Sequence, residues 1–235
     1  MANVFIISAP SGSGKSTLLN RVRKQVPNLE FSISYTTRPP RGTEQNGREY
    51  FFVRRPEFEY MRDQGEFLEH ANVFGDYYGT ARRFLEKAER EGRDLLLDID
   101  VQGAAQVKDK LPRAVSIFIL PPDRAELERR LRERGQDSEE VIERRLREAT
   151  REIENYAKYD YILVNDRLPD SIAALEAILL TERQKHAGKN DRELSARAES
   201  CRLERVRERL EPILQSFQKR LLMAGNRAGE SHEAD

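Results

Sequence analysis

The chain has 235 residues, enough for one large core with lobes inserted into it and too few for three independent domains. Its 41 basic and 41 acidic side chains cancel to a formal charge of zero, which argues against a general polyanion binder and leaves nucleic acid out of the expected partners. A single cysteine, Cys201, excludes an internal disulfide, and three scattered histidines at 70, 186 and 232 lack ligand spacing, so no structural metal is expected.

The first segment, MANVFIISAP, carries no basic stretch and only four consecutive apolar residues. A membrane span needs ~20, so a soluble, cytoplasmic protein without a membrane partner is expected. Four short apolar runs, VFIISA, RDLLLDID, AVSIFILP and YDYILVN, are separated by segments with Leu and Ile at helical spacing. Strands buried on both faces and alternating with helices predict an α/β fold with a parallel central sheet.

Directly behind the first run, SAPSGSGKSTL at 8–18 is a glycine- and serine-rich turn followed by a helical pattern. It matches the phosphate-loop pattern G-x-x-x-x-G-K-[ST] except at its first position, where Ala9 replaces glycine. Gly12 and Gly14 allow backbone amides to curl around phosphate oxygens, and the helix beginning near Lys15 points its positive end at them. Lys15 would neutralise the terminal phosphates, and the Ser16 hydroxyl would serve Mg²⁺. The loop residues Ser11, Gly12, Ser13, Gly14, Lys15, Ser16 and Thr17 form the expected phosphate-binding set.

Residues 31–86 have a different texture, with aromatic and β-branched stretches and turn signals at PPRGTEQNG, which predicts a small, mixed or mostly antiparallel lobe. Within it Arg38 and Arg41 flank two prolines, and Ser34 and Tyr50 lie nearby in sequence. Guanidinium forks match phosphate geometry, so a second phosphate site and a solvated turn are both open readings of this stretch. Residues 124–158 are almost wholly helical and rich in arginine, with a break at Gly135 and a helix start at Ser138, which reads as two helices joined by a mobile elbow.

Seven segments, in order, are APSGSGKST, SYTTRPPRG, GREYFFV, GEFLEHANVFGDYYGT, LLLDIDVQGA, RLRERG and YILVND. Together they resemble the guanylate kinase family of nucleoside monophosphate kinases over roughly residues 3–187. The resemblance implies transfer of a phosphoryl group from ATP to GMP, with Mg²⁺, in purine nucleotide metabolism, and it assigns the phosphate-loop residues 11–17 to ATP. It also implies that Ser34, Arg38, Arg41, Tyr50 and Tyr78 hold the acceptor phosphate while Glu69, Thr80 and Asp100 read its base. The chemistry agrees: guanine presents adjacent N1–H and N2–H donors to a carboxylate such as Glu69, and its O6 can accept from Thr80.

Asp98 and Asp100 fall at the end of a predicted strand, where alternation puts both on one face. Either could serve metal-bound water while the other serves the nucleotide. By resemblance, Arg130, Arg134 and Arg145 belong to the lid that closes on ATP, and Asn165 and Asp166 lie on the adenine side. Lys15, Arg38, Arg134 and Arg145 are the expected catalytic groups, and no general base is needed for an already ionised phosphate nucleophile. A scaffold module that has kept this fold and lost catalysis is the rival from another class.

Residues 188–235 form a charged helical extension outside the resemblance, expected to end in disorder over the last ten residues. Its amphipathic face, with Leu210, Ile213, Leu214 and Phe217, predicts burial against its own domain or a second subunit, with a homo-oligomer through this helix as one outcome. Pro212 is expected to kink or divide it.

Overall fold

The computed structural model describes residues 2–229 except 74, 136, 187 and 190. The expected disordered end lies largely outside these residues: 226–229 are helical and 230–235 are not described. The first strand, β1 (Val4–Ser8), is buried throughout and is followed by the phosphate-loop turn and α1 (Lys15–Gln25). Next come β2 (Leu29–Phe31), β3 (Tyr35–Thr36), β4 (Phe51–Phe52), α2 (Arg55–Asp63), β5 (Phe67–Val73) and β6 (Asp76–Ala81). The chain returns through α3 (Arg83–Glu91), β7 (Asp94–Asp98), α4 (Val101–Lys110) and β8 (Val115–Leu120). It then forms α5 (Arg124–Glu133), α6 (Glu139–Ile153), β9 (Tyr161–Val164), α7 (Leu168–His186), α8 (Arg192–Glu199) and α9 (Leu203–Gly229).

The central sheet has the order β2-β7-β1-β8-β9, with every pairing parallel. Strand alternation sorts its side chains into two cores. Phe5 and Ile7 pack with Leu18, Leu19 and Val22 of α1 and with Leu175, Ile178 and Leu179 of α7. Val4 and Ile6 face the opposite side, with Val107 of α4, Leu127 of α5 and Ile142 of α6. The α/β reading is therefore correct, and its four strands are all present. The fifth, β2, was not predicted: three residues after Pro27 and Asn28 carry too little periodicity to register against their neighbours.

The inserted lobe is a second sheet with the order β4-β3-β6-β5, in which β3 and β4 are parallel and the other pairs antiparallel. The lid segment forms α5 and α6, joined around Gly135 at a φ of 61°, with Ser138 at the N-cap of α6. The extension is folded onto the rest of the chain. Leu210, Ile213 and Phe217 of α9 are buried in the same core as the lid helices, so the apolar face that suggested self-association is covered within the chain. Pro212 does not divide α9, which runs continuously past it. No helix among the described residues is long and apolar enough to cross a membrane.

Candidate active site

The phosphate loop is shaped by its glycines and by what presses on them. Gly12 and Gly14 have φ of 96° and 87°, where a side chain is strained. A Cβ at Gly12 would sit 2.8 Å from Leu127 Cδ1, and one at Gly14 would sit 2.3 Å from Asn165 Nδ2. Ala9, where the pattern has glycine, packs against the core beneath the loop. Helix α1 starts at Lys15 itself, so its unpaired first-turn N–H groups and dipole face the loop's mouth. Lys15 forms an ion pair with Asp98, the last residue of the adjacent strand β7. Burial alone would lower the Lys15 pKa, but the Asp98 carboxylate overrides it and holds the ammonium above the ordinary lysine value.

A cleft of about 300 Å³ joins this loop to the inserted lobe and the lid. Ser11, Gly12, Gly14, Lys15 and Ser16 line one end, and Ser34, Tyr50, Glu69 and Tyr78 line the other. Asp98, Asp100 and Arg134 also line it. Thr17 is exposed on α1, and Ser13 is fully buried under the loop, where its Oγ has no partner among the described residues.

Glu69 on β5 lies directly opposite Thr80 on β6, and both are buried. Ser34 Oγ is 3.4 Å from Thr80 Oγ1. The absence of a side chain at Gly103 makes room for the carboxylate, since a Cβ there would lie 2.5 Å from Glu69 Oε2. Burial pushes the Glu69 pKa up to about 7; hydrogen bonding to Thr80 opposes this, and the nearby Asp100 charge adds to it. Asp100 departs from the sequence reading: β7 ends at Asp98, and Asp100 is the N-cap of α4, accepting from Gly103 N–H at 2.8 Å. The strand-alternation argument therefore does not apply, and the two carboxylates reach the cleft from different elements.

Arg38 is only 5% exposed and lies beside the rings of Tyr50 and Phe52, 5.1 and 5.6 Å from their centroids. Its Nε donates to Tyr78 Oη at 3.2 Å, and Nη1 donates to the Pro39 carbonyl at 2.7 Å. The two terminal nitrogens grip the Glu44 carboxylate at 2.8 and 2.9 Å. Of the five guanidinium N–H groups, these four bonds leave one for a ligand. Burial would lower the Arg38 pKa, but its hydrogen bonds to Glu44 and Tyr78 outweigh it and raise the value. Arg41 is exposed, and its backbone N–H donates to Glu44 at 2.7 Å. Sequence reasoning missed Glu44; the signal for it is an acidic side chain inside an otherwise basic turn.

From the lid, Arg130 donates to the Asn165 carbonyl at 3.0 Å and to the Ser13 carbonyl at 3.4 Å, with Glu126 at 2.7 Å behind it. Asn165 Nδ2 donates to the same Ser13 carbonyl at 2.7 Å, whereas Asp166 is exposed. Arg134 caps α5, and Arg145 of α6 donates to Ser11 Oγ at 3.3 Å while paired with Asp137 at 3.1 Å. Glu152 of α6 also lines the cleft and was not foreseen. Burial pushes its pKa up to about 7, with Lys15 pulling it down and Asp100 pushing it up.

A parallel sheet with a phosphate loop between β1 and α1, a lobe carrying a buried carboxylate and an arginine-bearing lid defines a P-loop nucleotide kinase. The family model described as guanylate kinase matches residues 1–182. A guanylate kinase from Koribacter versatilis (strain Ellin345) is 57% identical over 221 residues, covering 91% of this chain and 95% of that protein. One from Escherichia coli (strain K12) is 50% identical over 182 residues, covering 77% of this chain and 88% of that protein. Among solved structures, the guanylate kinase from Anaplasma phagocytophilum matches with a TM-score of 0.65 at 36% identity, covering 77% of this chain and 86% of that one. The chain belongs to the guanylate kinase family.

Proposed function

We propose that the cleft binds the guanine of GMP at Glu69 and Thr80 and the donor phosphates of ATP at the phosphate loop. The reaction is ATP-dependent phosphorylation of GMP, giving ADP and GDP. The observation that carries the assignment is the buried Glu69 carboxylate sharing one cleft with Lys15. Adenine would set its N1 acceptor against that carboxylate, and sites built on buried polar pairing reject mismatched partners by about 10⁴.

The acceptor phosphate meets Tyr50, Tyr78, Ser34 and the free N–H of Arg38, with Arg41 at the open side. The buried Arg38 is held by Glu44, so it presents a fixed donor rather than a swinging one. Asp100 supports the base-reading end from the α4 cap. Because the phosphate nucleophile is already ionised, the protein's work is alignment and charge. Lys15 and the α1 amides orient the donor phosphates, and Arg130, Arg134 and Arg145 reach the same space from the lid to stabilise spreading charge and exclude water. Asn165, with Asp166 beyond it, borders the donor base.

For Mg²⁺, Ser16 and Asp98 are oxygen donors on one cleft wall, a set suited to a hard cation. Among the described residues no group of three metal-capable side chains occurs, which fits an ion held largely by phosphates and water. Ser16 would hold it directly and Asp98 through water, and the ion would neutralise the terminal phosphates. Residues 1–187 are read as the catalytic unit, with the lobe and lid as its moving parts, and 188–235 as an appended extension. A cytoplasmic location belongs to this reading. The proposed homo-oligomer would need a surface other than the α9 face covered within the chain.

The retained Lys15 and the similarity to guanylate kinases over most of the chain give the scaffold alternative no support. The test is ADP release from Mg·ATP with GMP, AMP, CMP or UMP as acceptor. Rapid release with GMP alone is expected. Equal rates with AMP would overturn the base assignment.

A further inference from the structure

We infer that α9 is a strut that holds the lid helix α5 against the phosphate loop, with Ser216 and Phe217 as positioning residues for the donor-phosphate arginines. The inference rests on the assignment of α5 to the ATP side. It concerns residues outside the 1–182 segment that the family model matches. The Koribacter relative covers 91% of this chain, more than that segment supplies, so part of the extension is matched in that protein.

One end of the extension is rooted in the sheet. The Ile162 N–H donates to the Cys201 carbonyl at 2.8 Å, and Arg202 pairs with Tyr161 across an isolated bridge. The Arg202 guanidinium lies 4.0 Å from the Tyr161 ring centroid and pairs with Glu182 of α7 at 3.0 Å. From this anchor α9 crosses to the lid, where Val206, Leu210, Ile213 and Phe217 enter the core that contains Leu127 and Leu131 of α5 and Leu146 of α6.

The far end makes a directed contact. Ser216 Oγ donates to the Ile213 carbonyl at 2.6 Å, which leaves a lone pair to accept from the Arg124 N–H at 3.0 Å. Arg124 is the first residue of α5, one of the N–H groups a helix cannot satisfy internally. Asp123, the N-cap, serves a later donor of the first turn, accepting from Glu126 N–H at 2.7 Å. The start of α5 is thus capped by its own chain on one side and by α9 on the other.

The same helix bears on the active site. A Cβ at Gly12 would sit 2.8 Å from Leu127 and 3.0 Å from Leu131, and Arg130 bonds the Ser13 and Asn165 carbonyls. A contact made by α9 at Arg124 therefore bears on the placement of Arg130 less than two turns away. With the strut in place, the ordering of α5 is already made before ATP binds. Without it, that ordering must be supplied by the nucleotide. The GMP wall lies on β5, β6, the segments flanking β3 and β4 and the start of α4, none of which contributes to this contact.

The test compares full-length Ser216→Ala, Phe217→Ala and Phe217→Leu with the parent. It uses steady-state kinetics in each substrate and hydrogen exchange of the α5 amides in the nucleotide-free protein. The expected result is faster exchange near Arg124 and a rise in KM for ATP of about threefold for Ser216→Ala and about tenfold for Phe217→Ala, with KM for GMP within about twofold. Phe217→Leu should fall between them, and it and Ser216→Ala decide the matter if Phe217→Ala does not fold. Unchanged α5 exchange in the folded variants would overturn the strut. Faster exchange with an unchanged KM for ATP would overturn the donor-side lid assignment instead, and Arg130→Ala would then also leave KM for ATP unmoved.

Discussion

The proposed pairing of Glu69 with guanine makes GMP binding a titration. With its pKa at about 7, the carboxylate is about one-tenth ionised at pH 6 and about nine-tenths ionised at pH 8. Only the ionised form accepts from both guanine N1–H and N2–H, so the apparent dissociation constant should fall by about tenfold between these pH values. The phosphate of GMP also titrates near pH ~6, so the measure is the difference between the parent and Glu69→Gln in calorimetric titrations. The parent should show the larger change and should release about half a proton from this group on binding at pH 7. Stability moves the other way: a carboxyl group whose pKa is raised above its ordinary 4.5 stabilises the fold below that value and loses the contribution as pH climbs through about 7. That loss is at most about 3 kcal/mol, so Glu69→Gln should melt higher than the parent at pH 8 while binding GMP less tightly. Parallel pH profiles in parent and variant, with no difference in proton release, would refute the reasoning.

Lys15→Ala should cut turnover by orders of magnitude while circular dichroism shows a folded protein, and unchanged turnover would mean that the loop does not hold the donor phosphates. Glu44→Gln removes the charge that holds Arg38 and should raise KM for GMP roughly tenfold, the size of one charge-assisted hydrogen bond, with KM for ATP steady. A fall in KM for GMP would show instead that Glu44 competes with the substrate phosphate.

The parts of this structure that were legible in the sequence are those that repeat a period or fill a fixed spacing. The runs around Ile6, Leu96, Phe118 and Ile162 alternate into two cores, and the phosphate loop declares itself by Gly14, Lys15 and Ser16 behind a strand. What was not legible depends on where an element stops or on what approaches from elsewhere. Asp98 and Asp100 differ by the end of β7, a boundary that the sequence DID does not mark. Glu44 and Glu152 are two acids among 41 acidic residues, and only tertiary neighbours distinguish them. The amphipathic spacing of α9 states that something covers Leu210 and Phe217, but periodicity carries no information about which surface does so.

Each cation proposed to meet a phosphate, apart from Arg41 and Arg134, is already paired with a carboxylate of the chain: Lys15 with Asp98, Arg38 with Glu44, Arg130 with Glu126 and Arg145 with Asp137. The balance of charge in the whole sequence is thus repeated at the site. The pairs hold long side chains in place and limit their mutual repulsion, so on the proposed reading the geometry for phosphate exists before phosphate arrives. The consequence is electrostatic. A cluster of bare cations would attract nucleotides over a distance and lose that attraction as salt shortens the Debye length, whereas paired charges act mainly at contact. KM for GMP should therefore change by less than about threefold when KCl is raised from about 0.05 to 0.2 M in steady-state assays at fixed Mg·ATP. A fall in affinity of tenfold or more over that range would mean that the cations act as an exposed basic field, and that the carboxylate pairing does not govern how the phosphates are received.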